Sequence, residues 1–377
     1  PAIAALLRAV NLTPALPMAW RMLEGVYRLT GDQASAGIAG GHVATLRSLP
    51  AEVVEATSLF SDGEIDRAEQ IIRQFLLSQG DHPEAMRLLA KIGMAHEVYD
   101  DAEMLLEGVL AMLPDHRAAR YEYAETLSLR HKHQQAREAL APLLDGDPDN
   151  REYQTLASTI AVGLGEQEEA IRLHRALLAS LPEVAEDPLD APALKATRAD
   201  LHLWLGHALK TVGDVPEAIE HYRMASAIRP DFGDAWWSLA NLKTYRFDEA
   251  ELAAIARSEA DATTSPVDRV HLAFALGKAH EDRGEYDLSW DAYTRGNAAR
   301  RATSKYRPEV FETNTREQKR VCTPAFFATS GCEAANAVCD ASACLQLSGT
   351  AEKSVALARS CRWARCRWVT TRRWWSR

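Results

Sequence analysis

The sequence predicts an all-α solenoid of stacked helical hairpins, and three observations carry that prediction. First, Ala199–Asp231 reads as two amphipathic helices joined at Val212-Gly213-Asp214 and stopped by Pro230. Ala218, Tyr222 and Ala225 fall at i, i+4 and i+7 and so share one helix face. Proline ends the second helix because it lacks an N–H and disfavours helical geometry before it. Second, the unit recurs: Ala68, Ala102, Ala136 and Ala170 are 34 residues apart, and Pro114, Pro148 and Pro182 keep the same step. Third, Gly63, Gly165, Gly213 and Gly284 mark the turns between paired helices, where a residue tolerant of positive φ is useful.

In chain order, Ala2, Leu6, Ala9 and Pro14 fit the second helix of a hairpin, so the sequence reads as starting inside the array. The next unit carries Trp20, Leu23, Tyr27, Gly31 and Ala36. Further units follow near Leu49–Asp81, Pro83–His116, Arg117–Asn150 and Arg151–Pro182. Ala218 and Pro230 come 48 residues after Ala170 and Pro182, which places an insertion of 14 residues at 183–196, rich in Pro and acids. After Ala199–Asp231 comes a divergent unit near Gly233, with Trp236, Leu239 and Ala240. The last unit, Val270–Arg301, keeps Leu276, Gly277, Gly284 and Tyr293 but lacks the closing Pro.

Trp20, Leu23 and Tyr27, the recurring alanines and the closing prolines resemble the tetratricopeptide (TPR) repeat, with its W-x2-L-G-x2-Y start and A-x3-F/Y middle. The resemblance implies a right-handed superhelical solenoid in which each repeat buries its apolar face on its neighbours. The recurring alanines then allow close helix approach, and Ala218→Phe is expected to cost about 1–3 kcal/mol by overpacking. In that family the first helix of each unit lines a concave groove. Carried over position by position, this places Arg87, Lys91, Tyr121, Glu125, Lys210, Trp237 and Asn241 on or near the groove. Arg87, Lys91 and Lys210 would hold a carboxylate or phosphate, Asn241 peptide backbone, and Tyr121 and Trp237 apolar side chains. For any one of them, an ordinary exposed or packed helix residue is an equal reading. Trp236 is expected in the core and Trp237 on the concave side.

RPDFGDAWWSLANLKTYRFDEAELAAI from Arg229, VHLAFALGKAHEDRGEYDLSWDAYTRGNAARR and TPAFF at Thr323–Phe327 resemble the repeat region of bacterial TPR-sulfotransferase fusion proteins. That resemblance implies a parent enzyme transferring sulfate from 3′-phosphoadenosine 5′-phosphosulfate, with a Gly-rich loop cradling the donor at a helix N-terminus. A carboxylate base would act on the acceptor hydroxyl. The expected position carries only Ser348-Gly349-Thr350, a match without weight, and too little chain follows for the catalytic domain. The organisation expected is therefore a repeat array over 1–301, a linker over 302–331 toward a catalytic domain that is absent, and an atypical tail over 332–377. No catalytic residue, metal site or cofactor is assigned to this chain.

All six cysteines lie in 322–366, and Trp363, Trp368, Trp374 and Trp375 crowd the end. Three readings of this tail compete: an out-of-frame translation, a zinc site from Cys339, Cys344, Cys361 and Cys366, and a basic, Trp-rich segment for membrane or nucleic acid. The first fits best, because the helical periodicity breaks where a catalytic domain should begin. Elsewhere, His131-Lys132-His133 reads as an exposed turn, and Asp145–Asp149 as a helix stop and N-cap that lacks full calcium-loop spacing.

The net charge is −10, and residues 353–377 carry eight Lys or Arg without an acid, so residues 1–352 carry −18. An acidic array argues against a nucleic-acid partner, which needs clustered cations. No apolar run is long enough to cross a bilayer, and nothing signals export, so a cytoplasmic location is expected. The partner expected is a protein or peptide.

Overall fold

A computed structural model of the chain describes residues 2–185, 190–304 and 306–323. It divides into two units, Pro1–Ala302 and Thr303–Arg377. The atypical tail, with the four candidate zinc cysteines, lies outside the described residues. Among those residues the regular structure is entirely helical.

The first unit is an all-α stack of hairpins. The helices are α1 Ala2–Leu12, α2 Pro17–Thr30, α3 Gln33–Ser48, α4 Ala51–Ser61, α5 Ile65–Gln79, α6 Pro83–Ala95, α7 Tyr99–Met112, α8 Arg117–Leu129 and α9 His133–Gly146. They continue with α10 Arg151–Leu164, α11 Gln167–Ser180, α12 Ala191–Val212, α13 Val215–Ile228, α14 Gly233–Ala240, α15 Glu249–Ala260, α16 Pro266–Asp282 and α17 Tyr286–Thr303. In the second unit, α18 Pro308–Val321 buries none of its residues.

The period is visible in what each position does. Ala68, Ala102, Ala136, Ala170 and Ala218 are all 0% exposed. A side chain at this position has no room to grow, which is why Ala218→Phe overpacks. The paired helix contributes the matching gap: a Cβ at Gly206 would lie 2.6 Å from the Tyr222 ring, and one at Gly277 2.6 Å from the Tyr293 ring. The closing prolines also serve as acceptors. The carbonyl of Pro14 receives the Trp20 indole N–H and that of Pro230 the Trp236 indole N–H, both at 2.9 Å. Gln154 donates to Pro148 and Arg120 to Pro114, so a side chain six residues on ties each turn to the next helix.

Two further 34-residue series emerge that conserve geometry with changing residue types. His82, His116 and Asn150 are N-caps, and their ring nitrogens or amide oxygen accept the N–H of Ala85, Ala119 and Tyr153. The hairpin turns run Gly63, Glu97, His131 and Gly165, and all four have positive φ. Glu97 (φ 61°) and His131 (φ 59°) hold a conformation that glycine adopts without penalty. Glu97→Gly and His131→Gly are therefore expected each to raise stability by about 0.5–1 kcal/mol. Unchanged or lowered urea midpoints would contradict this.

Two features depart from a simple hairpin count. Residues 191–196 of the expected insertion are the start of the 22-residue α12, with Pro192 in its first turn, where a missing N–H is tolerated. The divergent unit has an eight-residue α14, which packs on α16 rather than folding back on α15. Gly233 allows that approach: a Cβ there would lie 2.3 Å from the Asp268 carbonyl oxygen. The segment 241–248 then folds Phe247 over Trp236, ring centroids 6.1 Å apart.

Candidate peptide-binding groove

Between α4 and α10 the first helices of successive hairpins touch one another, whereas the second helices α5, α7 and α9 stand farther apart. The stack therefore curves with α4, α6, α8 and α10 on its inner side. Their facing side chains form a continuous row. The Lys91 ammonium lies over the Phe60 ring of α4, 5.6 Å from its centroid. Arg87 of α6 donates to Glu84 at 2.9 Å and to Glu122 of α8 at 2.6 Å. His116 fixes the same corner: its Nδ1 accepts the cap N–H, so its Nε2–H donates to Glu84 at 2.6 Å. Tyr121 of α8 meets Tyr153 of α10, centroids 5.7 Å apart.

Of the residues expected in the groove, Arg87, Lys91, Tyr121 and Glu125 are thus gathered in one cluster on α6 and α8. Arg87 is already engaged by two carboxylates and so is not the free anion holder that its position implied. Lys210 lies farther along on α12, half-buried and close enough to His207 to influence its charge. Trp237 of α14 is half-buried against Phe274, centroids 5.8 Å apart, while Trp236 is 5% exposed in the core. Asn241 is exposed as the C-cap of α14.

Phe60, Glu84, Glu122, Glu152 and Tyr153 also contribute to the row and were not apparent from the family positions. Glu122 sits one residue beyond a full repeat from Arg87, so its pairing becomes visible only once adjacent helices are placed side by side. Electrostatics separate the carboxylates. Burial alone would push Glu84 up, but Arg87 and His116 bring it below the ordinary glutamate range. Burial pushes Glu122 up against the opposing pull of Arg87 and Lys91. Glu125 is raised by burial, with Lys91 opposing and Glu152 of α10 adding repulsion. Burial, then Glu125 and Glu152, push the Tyr121 hydroxyl up to about 12. The row is therefore a polar, partly desolvated surface with aromatic walls, suited to recognition by hydrogen bonds and charge.

The fold is an all-α solenoid of stacked helical hairpins. Residues 93–160 match the tetratricopeptide repeat family, a span that includes most of α7 to α10 with Tyr121, Glu122, Glu125, Glu152 and Tyr153, while Phe60, Glu84, Arg87 and Lys91 lie before it. No curated protein matches the chain. Among solved structures, a tetratricopeptide repeat protein from Parabacteroides merdae is 13% identical, covering 68% of this chain and 98% of its own at TM-score 0.44. YrrB, described as a TPR protein with an unusual peptide-binding site, is 18% identical over 50% of this chain and 89% of its own, at TM-score 0.39. Human IFIT1, as a dimer with PPP-AAAA, is 16% identical over 84% of this chain and 77% of its own, at TM-score 0.46. No described helix is long and apolar enough to cross a membrane.

Proposed function

We propose that the array is a binding scaffold that holds an extended protein or peptide segment along the inner face of α4, α6, α8 and α10. The observation behind this is the row running from Phe60 through Lys91 and Glu125 to Tyr121 and Tyr153, with each hairpin contributing to it. Packed helices lie about 8–10 Å apart, and an extended chain rises about 3.3 Å per residue. Each hairpin thus presents a contact group for about three residues of a bound segment. Lys210, Trp237 and Asn241 would extend the surface toward α14. A parent sulfotransferase, whose repeats present an acceptor to a catalytic domain using 3′-phosphoadenosine 5′-phosphosulfate, has only the resemblance of residues 229–330 behind it. Transfer of labelled sulfate by the purified chain would favour it over the scaffold reading.

The scaffold reading is tested by selecting binders from a random dodecapeptide library on the full chain. Tyr121→Ala and Glu125→Ala are expected to weaken the selected peptides by about tenfold or more. Binders that ignore both substitutions would overturn it.

A further inference from the structure

The groove holds more acid than base, and one of its acids is buried with an oxygen to spare. On α6, α8 and α10, Glu84, Glu122, Glu125 and Glu152 are set against Arg87 and Lys91, with His116 as a further partner of Glu84. Arg87 is saturated between Glu84 and Glu122. Glu122 is only 9% exposed, and while its Oε1 accepts from Arg87, its Oε2 has no hydrogen-bond partner. Such an orphaned acceptor is costly to keep unless something completes it. Glu125, one turn away from Tyr121, accepts no side-chain hydrogen bond among the described residues. Lys91 rests over Phe60, near enough to Glu122 and Glu125 to oppose the rise that burial imposes on both.

We infer that this part of the groove takes a lysine or arginine side chain of the bound segment, with Glu125 and Glu152 as its charge partners, Glu122 behind them and Tyr121, backed by Tyr153, as a wall. The inference rests on the groove being the peptide site and adds the chemistry of the peptide. An ammonium or guanidinium supplies the donors that these carboxylates lack. It also relieves the repulsion from Glu152 that adds to burial in raising Glu125. Tyr121, half-buried and backed by the buried Tyr153, would cover the aliphatic stem of the incoming side chain and offer its ring face to the cation. An acidic ligand would instead meet four carboxylates, with Arg87 already engaged between two of them and the Lys91 ammonium left to receive it.

Three fluorescein-labelled dodecapeptides that differ only in carrying Lys, Gln or Glu at alternate positions test this by fluorescence anisotropy with the full chain. The Lys peptide is expected to bind at least about tenfold tighter than the other two, with the gap narrowing at high salt. Replacing both groove partners, Glu125→Gln with Glu152→Gln, should remove about tenfold of the Lys-peptide affinity and leave the Gln peptide unchanged. Glu168→Gln with Glu220→Gln makes the same change in net charge at exposed sites on α11 and α13 and should have no effect. A control pair as damaging as the groove pair would reduce the preference to general attraction by an acidic chain and overturn the inference. So would a Glu peptide that binds as well as the Lys peptide while remaining sensitive to Tyr121→Ala. If no peptide of any charge responds to Tyr121→Ala, the groove reading itself fails. Glutamine keeps the shape of glutamate, and unchanged circular dichroism melts would show that the variants fold.

Discussion

Asp268→Ala is expected to destabilise the C-terminal end of the repeat stack by about 2–3 kcal/mol. The Asp268 carboxylate gathers three groups. It accepts from Arg229 Nη2 at 3.2 Å through both oxygens, from the Gly233 N–H at 3.0 Å and from the Ser265 hydroxyl at 2.7 Å. Arg229 in turn stacks on the Phe232 ring, 3.7 Å from its centroid. These contacts join the C-terminus of α13 and the start of α14 to the first turn of α16. Removing the carboxylate leaves the Gly233 N–H unpaired and Arg229 with only Asp231 at 3.6 Å and Asp200 at 3.8 Å. The arginine is about one quarter exposed, so water softens the loss below that of a fully buried pair. Asp268→Asn keeps an acceptor and should cost less than alanine. Stability in a repeat stack is close to a sum of neighbour interfaces, so urea unfolding of the alanine variant should separate a weaker C-terminal transition from the main one. A single unshifted transition would contradict the role assigned to this node.

The second large effect is a loss of stability on mild acidification. His174 is 2% exposed, its Nδ1 has no hydrogen-bond partner, and burial pushes its pKa down to about 4. Burial, with help from His221 and Arg198, also pushes His202 down to about 4. His202 and His221 meet Nδ1 to Nδ1 at 2.8 Å, a contact that requires one ring to donate and the other to accept. A histidine whose folded pKa lies below its unfolded value favours the fold while neutral. Its contribution is complete above about pH 6.5 and is lost as the pH falls toward 4. Between pH 7 and 5, His174 alone should cost about 2 kcal/mol. His202, His207 and His221 act in the same direction. Glu122, Glu125 and Asp200 have the opposite sign, because their folded pKa values are raised and protonation favours the fold. Their contribution enters at the acidic end of the window and blunts the fall there. His174→Leu should remove about 2 kcal/mol of the difference in urea-unfolding stability between pH 7 and 5. A wild-type stability that is flat over that interval would contradict the assignment.

These residues also show where sequence reasoning reached and where it stopped. The period was legible because Ala68, Ala102, Ala136 and Ala170 repeat one residue under one steric constraint. The turn and cap series were legible only in part, because Glu97 and His131 occupy glycine geometry and His82, His116 and Asn150 cap with different chemical groups. Pro192 reads as loop but sits where a helix tolerates it. The packing of α14 on α16 depends on the missing Cβ of Gly233, a contact made over a distance of 35 residues in the chain. In the groove, residue types pointed to Arg87 and Lys91 as cations. The carboxylates that saturate Arg87 come from its own helix and from α8, and a linear pattern does not reveal that Glu122 faces it.

Hydrogen–deuterium exchange of the full chain with a library-selected peptide, followed by mass spectrometry, tests the central claim most directly. The account predicts slowed exchange in segments from α6, α8 and α10 and little change in α7, α9 and α11. Protection confined to the second helices, or none with the peptide bound, would contradict a groove on the inner face.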